Sequence, residues 1–144
     1  MATNHTTNYQ LCQWEATDKV LRTDFNQDNQ KIDAALSGLA KISAGAYTGN
    51  GAETQAITLP FTPKVVFVCT GAGEMRSVTA PAQYYGGVAV TSHPAQITHT
   101  YGTIPLVTIE TNGFSVYRKS DNVGLGLWSM TNQSGVNYYY FAIG

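Results

Sequence analysis

Catalysis in the C-terminal part of this chain would have to come from Glu53, Glu74, Glu110 and Asp121, the acids downstream of residue 42. Glycan cleavage needs two carboxyl groups flanking one bond. These four fall on separate turns or strand ends, and no spacing pairs any two of them, so they read as isolated solvated carboxylates. His93 and His99 lie six residues apart across Pro94. A metal site needs three or four suitable ligands, and only the scattered acids are on offer. The histidines read as loop residues; copies of one histidine meeting on a symmetry axis is the alternative. No Ser, Cys or His carries the local signature of a nucleophile elbow. Gly71-Ala72-Gly73 lacks the further glycine, the lysine and the helical continuation of a phosphate loop. It reads as a turn. No catalytic residue, metal or cofactor is expected.

Binding chemistry is better represented. Residues 42–144 carry 13 aromatics, and many must fill a core. Tyr84, Tyr85 and Tyr101 differ, because they sit in the Gly-, Thr- and Gln-rich stretches 71–87 and 92–105, outside clear strands. Long loops on a rigid β-scaffold concentrate function. Tyrosine offers a flat apolar face and a polar tip, suited to a sugar ring. These stretches therefore nominate Tyr84, Tyr85, His93, His99 and Tyr101 as ligand contacts, with Arg76 as a polar or anionic contact. The alternative is that the rings brace their own loops or fill a seam between subunits.

Charge divides the sequence that must position these groups. Residues 15–41 hold 9 charged side chains, whereas residues 42–144 hold 8 in a much longer stretch. The first region reads as a charged, exposed helix, and the second keeps its surface wet with Thr, Ser, Asn, Gln and Gly. A formal net charge of −1 leaves no basic field for nucleic acid or an anionic membrane. No apolar run approaches the roughly 20 residues of a membrane span. The polar start, Met1 to Asn8, lacks the basic and apolar segments of a signal peptide, so folding in the cytoplasm of the producer is expected. Cys12 and Cys69 are the only cysteines, which excludes a disulfide framework. Both read as reduced thiols, with Cys69 inside an apolar strand.

Residues 1–22 read as an extended attachment arm and 23–44 as an oligomerisation helix. Helical periodicity runs from Trp14 to Ile42, with Thr23-Asp24 as the N-cap and Ser43-Ala44-Gly45 as the stop. Its apolar positions Leu21, Phe25, Ile32, Leu36 and Leu39 form a narrow stripe, closer to a coiled-coil seam than to a helix lying on a globular core. An isolated helix of this length and polarity is marginal and needs partners. The alternative is packing back on its own β-domain.

Residues 45–144 read as a β-sandwich or small barrel of roughly eight short strands, all antiparallel. Lys64–Thr70 is a continuous apolar run, expected at the centre of a sheet. Thr111-Asn112-Gly113 marks one hairpin, and Thr131 to Gly135 marks a second. Tyr138 to Phe141 alternate, two in and two out.

Three segments carry a resemblance. Trp14-Glu15-Ala16-Thr17-Asp18-Lys19-Val20-Leu21-Arg22-Thr23-Asp24-Phe25-Asn26, continuing to Lys31-Ile32-Asp33-Ala34-Ala35-Leu36, resembles the opening of tail-fibre and receptor-binding proteins of phages and prophages of Gram-positive bacteria. Tyr47-Thr48-Gly49-Asn50-Gly51, then Ile57 to Lys64, is similar to the start of a small fibre-tip β-domain. The ending Ser134 to Gly144 is similar to theirs too. The resemblance implies a homotrimeric virion fibre, with the N-terminus on a phage tail or baseplate protein. Its helices would bundle, and its tip would bind a host-surface glycan or wall polymer. A structural virion part with no ligand is the alternative.

Overall fold

The computed structural model describes residues 1–77 and 82–144. The chain divides into two compact units, Met1–Ala40 and Lys41–Gly144.

In the N-terminal unit, β1 (Asn4–His5) and β2 (Cys12–Gln13) pair antiparallel. The arm expected to be extended is thus folded into a hairpin. Its turn is closed by backbone bonds from Thr6 to Leu11 and from Gln10 to Thr6, with Gln10 at φ 56°. Helix α1 spans Arg22–Ser37, shorter than the sequence pattern. Its N-cap is Leu21, whose side chain makes no capping bond, so Thr23, expected as the cap, lies two residues inside the helix. Asp24 still lies in the first turn, where the helix dipole favours an acid. Gly38 closes the helix with its N–H on Ala34. Ser43-Ala44-Gly45, expected as the stop, instead lies in a strand, because those residues pair with the C-terminal strand.

The hairpin is held to the helix by polar groups. Asp28, buried on α1, accepts the Cys12 N–H at 2.8 Å and Lys31 Nζ at 3.2 Å, and Lys31 also donates to the Gln10 carbonyl. Burial pushes the Asp28 carboxyl up, but the Cys12 N–H and Lys31 outweigh it and leave it below the ordinary aspartate value. Asp18 ties the linker in the same way, accepting N–H groups of Thr3 and Glu15, each at 2.8 Å.

The β-unit holds β3 (Ile42–Thr48), β4 (Thr54–Thr58), β5 (Val65–Thr70), β6 (Gln83–Tyr84), β7 (Gly87–Val90) and β8 (Ala95–His99). It continues with β9 (Gly102–Glu110), β10 (Gly113–Ser120), β11 (Trp128–Met130) and β12 (Asn137–Ile143). The protein is mainly β, as the strand and turn signals of residues 45–144 predict. One sheet runs β3-β12-β5-β7; the other runs β6-β11-β10-β9-β8, with β4 also on β10. The expected central strand is central, since β5 lies between β12 and β7. The β6–β11 pair is parallel, against the expectation of an all-antiparallel fold. The stretch 92–105, read as irregular, supplies β8 and the start of β9. Tyr84 lies in β6; positions 78–81 of the neighbouring stretch lie outside the described residues.

The hairpin at Thr111-Asn112 is present, with Glu110 opposite Gly113 and Asn112 at φ 55°. A side chain at Gly113 would put a Cβ only 2.2 Å from the Ile57 carbonyl, so β4 packs there only against glycine. The second expected hairpin is absent: β11 and β12 belong to different sheets. The connector fails as a turn because Thr131 and Asn132 are fully buried and hydrogen-bonded. Thr131 Oγ1 donates to the Leu106 carbonyl at 2.7 Å and accepts the Tyr117 N–H at 2.8 Å.

Both sheets supply one core. Tyr47, Val66, Val68, Tyr138 and Ala142 meet Ile97, Ile104, Leu106, Phe114 and Val116. Tyr47 stacks on Tyr138 at 5.0 Å and meets the Phe114 ring edge-on at 6.3 Å. Each of the large apolar side chains contributes roughly 1.5–3 kcal/mol by burial. The tyrosine hydroxyls are satisfied inside: Tyr47 donates to Thr131 O at 2.7 Å, and Tyr138 donates to Met130 O. Burial pushes the Tyr138 phenol up to about 12. The unit's ends meet, with the Gly144 N–H on Lys41 O at 2.7 Å. Among the described residues, no helix is long and apolar enough to cross a membrane.

Candidate functional site

The antiparallel register of β4 on β10 places Thr54 opposite Tyr117. One residue further, the Arg118 N–H reaches Glu53 O at 3.0 Å, and Lys119 Nζ meets Glu53 Oε1 at 2.7 Å. On the other side of β10, Ser120 lies opposite Trp128 of β11, and the Arg118 guanidinium stands 5.9 Å from the Trp128 ring centre. These residues, with Gly51 and Asn122, frame a polar groove of about 340 Å³. That volume falls in the range of small-ligand sites.

The walls are set from below by Asn132. Its side-chain amide donates to Asn50 Oδ1 and Ala52 O, each at 2.8 Å, and its Oδ1 accepts the Asn50 N–H at 3.0 Å. Gly51, at φ 77°, completes the turn that delivers Glu53. The opposite lip is the loop after β10. Asp121 accepts the N–H groups of Gly124 and Leu127 at 3.0 Å and of Val123 at 3.2 Å. The Leu127 bond chiefly, with those of Val123 and Gly124, holds its carboxyl below the ordinary value against its own partial burial.

Four of the β-unit's nine charged residues therefore gather here: Glu53, Arg118, Lys119 and Asp121. Asp121 is committed to its own loop, and Glu53 faces Lys119. Arg118 is left as a donor beside a flat indole. Such a set suits a hydroxyl-rich or anionic ring: donors and one acceptor carboxylate at the edges, an aromatic face beneath. Among the described residues, no group of three or more His, Cys, Asp or Glu side chains is placed to hold a metal.

The six nominated residues fall in three places. His99 and Tyr101 sit at the β8–β9 turn, rings 6.5 Å apart, and line a second groove of about 210 Å³. That groove shares Lys119, Ser120 and Asn122 with the first, so the two flank one ridge. His93 lies on another groove, with Pro94 and Thr108. Arg76 stacks on the Tyr84 ring at 5.2 Å, and Tyr84 and Tyr85 pack partly against the core. The bracing role left open for those two rings describes where they lie.

Sequence reading passed over Trp128, Arg118 and Lys119, and took Glu53 for an isolated carboxylate, whereas it pairs with Lys119. Their one available signal was scarcity: in a charge-poor domain, an Arg-Lys pair at the end of a strand is unusual. Their convergence is a product of strand pairing and has no local mark.

On α1, Phe25, Ile32 and Leu36 are exposed; Leu39, expected on the same helix, lies exposed beyond its Gly38 stop, and the N-cap Leu21 is half-buried. Phe25 is 53% exposed even with Trp14 stacked on it at 5.5 Å. Tyr9 of the hairpin borders an apolar groove of about 160 Å³ with Ile32, Leu36 and Leu39. Comparison of the chain with known protein families, curated proteins and solved structures finds no match.

Proposed function

We propose that this protein is a non-catalytic, oligomeric adhesin of the phage tail-fibre type. Copies bundle through α1, the N-terminal unit attaches to a tail or baseplate protein, and the β-unit grips a host-surface glycan or wall polymer. The observation that carries the reading is the set of apolar side chains Phe25, Ile32 and Leu36 on α1, each exposed in a single chain. A helix with its one buried side chain an aspartate is incomplete alone, and further copies supply the missing partner. A homotrimer is the assembly the sequence resemblance implies, and the virion is its place.

Binding is assigned to the ridge Lys119–Asn122 and its two grooves, Trp128 and Arg118 on one side and Tyr101 on the other. Two adjoining grooves suit more than one sugar unit. The ion pairing of Glu53 with Lys119 and the commitment of Asp121 to the N–H groups of its own loop support binding over hydrolysis.

The double change Phe25→Asp with Ile32→Asp is expected to dissociate the assembly in light scattering. A wild-type monomer at micromolar concentration overturns the fibre reading. Trp128→Ala and Arg118→Ala should each lower adsorption to host cells at unchanged thermal unfolding. If both adsorb as wild type, a structural virion part without a ligand is the better reading.

A further inference from the structure

The second sheet of the β-unit has an unusual outer face. Where the β4 and β8 strands meet water they present Thr54, Thr58, Gln96 and Thr98, as a half-solvated sheet should. The outward residues of β3-β12-β5-β7 are apolar instead. Cross-strand register sets them in three rows, the middle one running Ala44, Phe141, Phe67, Val88 across all four strands. The flanking rows centre on Tyr139 and Ile143. Tyr139 is 55% exposed, Val88 54% and Phe141 40%. None of the three rows holds a charged side chain. The face turns polar only at its ends: Thr48 bonds Asn137 at 2.8 Å beyond one row, and Lys41 and Lys64 precede the strands at the other. An apolar centre with a polar rim is the anatomy of a protein interface.

We infer that this face is a contact between copies of this chain. Four strands about 4.8 Å apart, over three rows about 7 Å apart, give a patch on the order of 400 Å² in plan. That is about half of what one partner brings to a standard interface. A patch of this size is weak on its own and has no charge pattern to select a foreign protein. It becomes effective once the copies are already tethered, because a tether raises their effective concentration to the millimolar range. For strength the contact rests on the bundling of α1 proposed above. In identity it stands on the sheet alone: apolar rows meet the same apolar rows of another copy without any charge to match.

Thiol protection in the full chain tests it. Val88→Cys puts a probe on the face, and Val123→Cys puts one on the exposed loop after β10. In the assembled protein, maleimide should modify the Val88 position at least tenfold more slowly than the Val123 position. In the Phe25→Asp, Ile32→Asp background the two rates should converge. Phe141→Asp, at an exposed position, should leave thermal unfolding unchanged and weaken association at least tenfold on dilution. Equal rates in a protein that light scattering still finds assembled overturn the inference while α1 bundling stands. A monomer overturns both, and protection of Val88→Cys in that monomer assigns the cover to this chain's own N-terminal unit or a co-purified partner.

Discussion

In the N-terminal unit the buried side chain of α1 is an aspartate, and the large apolar residues point to solvent. In the β-unit the fully buried side chains are led by Tyr138, Phe114, Val66 and Val68. The first is knitted by hydrogen bonds from Asp18, Asp28 and Lys31; the second is condensed around rings and branched aliphatics. The difference teaches what each part is for. A unit stabilised by polar clasps keeps its apolar surface available, and needs company to be comfortable in water. A unit with its own core tolerates loops, grooves and uneven charge at its surface.

The largest expected effect breaks the β-unit alone. Phe114→Ala should lower its stability by about 3–5 kcal/mol, seen as an early tyrosine-fluorescence transition. Helical circular dichroism should not follow at the same temperature. A common transition for both signals would show that the units do not melt independently.

Asn132→Ala is expected to cost less, about 1–3 kcal/mol for the hydrogen-bonding groups it strands. It sharpens the contrast within the β-unit, between what holds the core and what holds the groove. Residual adsorption should fall further than the melting temperature does, because the 49–53 turn loses its anchor.

The smallest effect separates the units by pH. Asp28 has a folded pKa below its unfolded value, so its contribution is present above the ordinary aspartate range, about 3.9, and is lost as pH falls through the folded value. Tyr138 is the reverse. Its folded pKa of about 12 lies above the unfolded one, so its contribution is full below the unfolded value and is lost as pH rises towards 12. Backbone hydrogen exchange should therefore loosen Cys12 and the hairpin first in acid, and β12 first in alkali. Loosening in the opposite order would contradict the division of forces.

What was legible in the sequence was local. The Thr111-Asn112 turn announces itself through backbone preference, and the run Val65 to Thr70 through its unbroken apolarity. The α1 stripe was legible as a period, although its ends were not. Leu21 caps the helix without a capping side chain, and Gly38 stops it well before the sequence pattern fades. The second hairpin was misread because Thr131 and Asn132 look like turn residues; their hydroxyl and amide are in fact buried cross-links. The groove was illegible for a related reason. Glu53 meets Lys119 only because β4 adds to the free side of β10, and nothing near either residue encodes that pairing. The apolar outer sheet face was hidden in plain view, since a strand buried on both sides and a strand awaiting a neighbour have the same composition.

The meeting of Lys41 with Gly144, and of β3 with β12 along their whole length, has an engineering consequence. The β-unit begins and finishes at a single point of its surface. It can be inserted within another chain without unpicking any strand of its core.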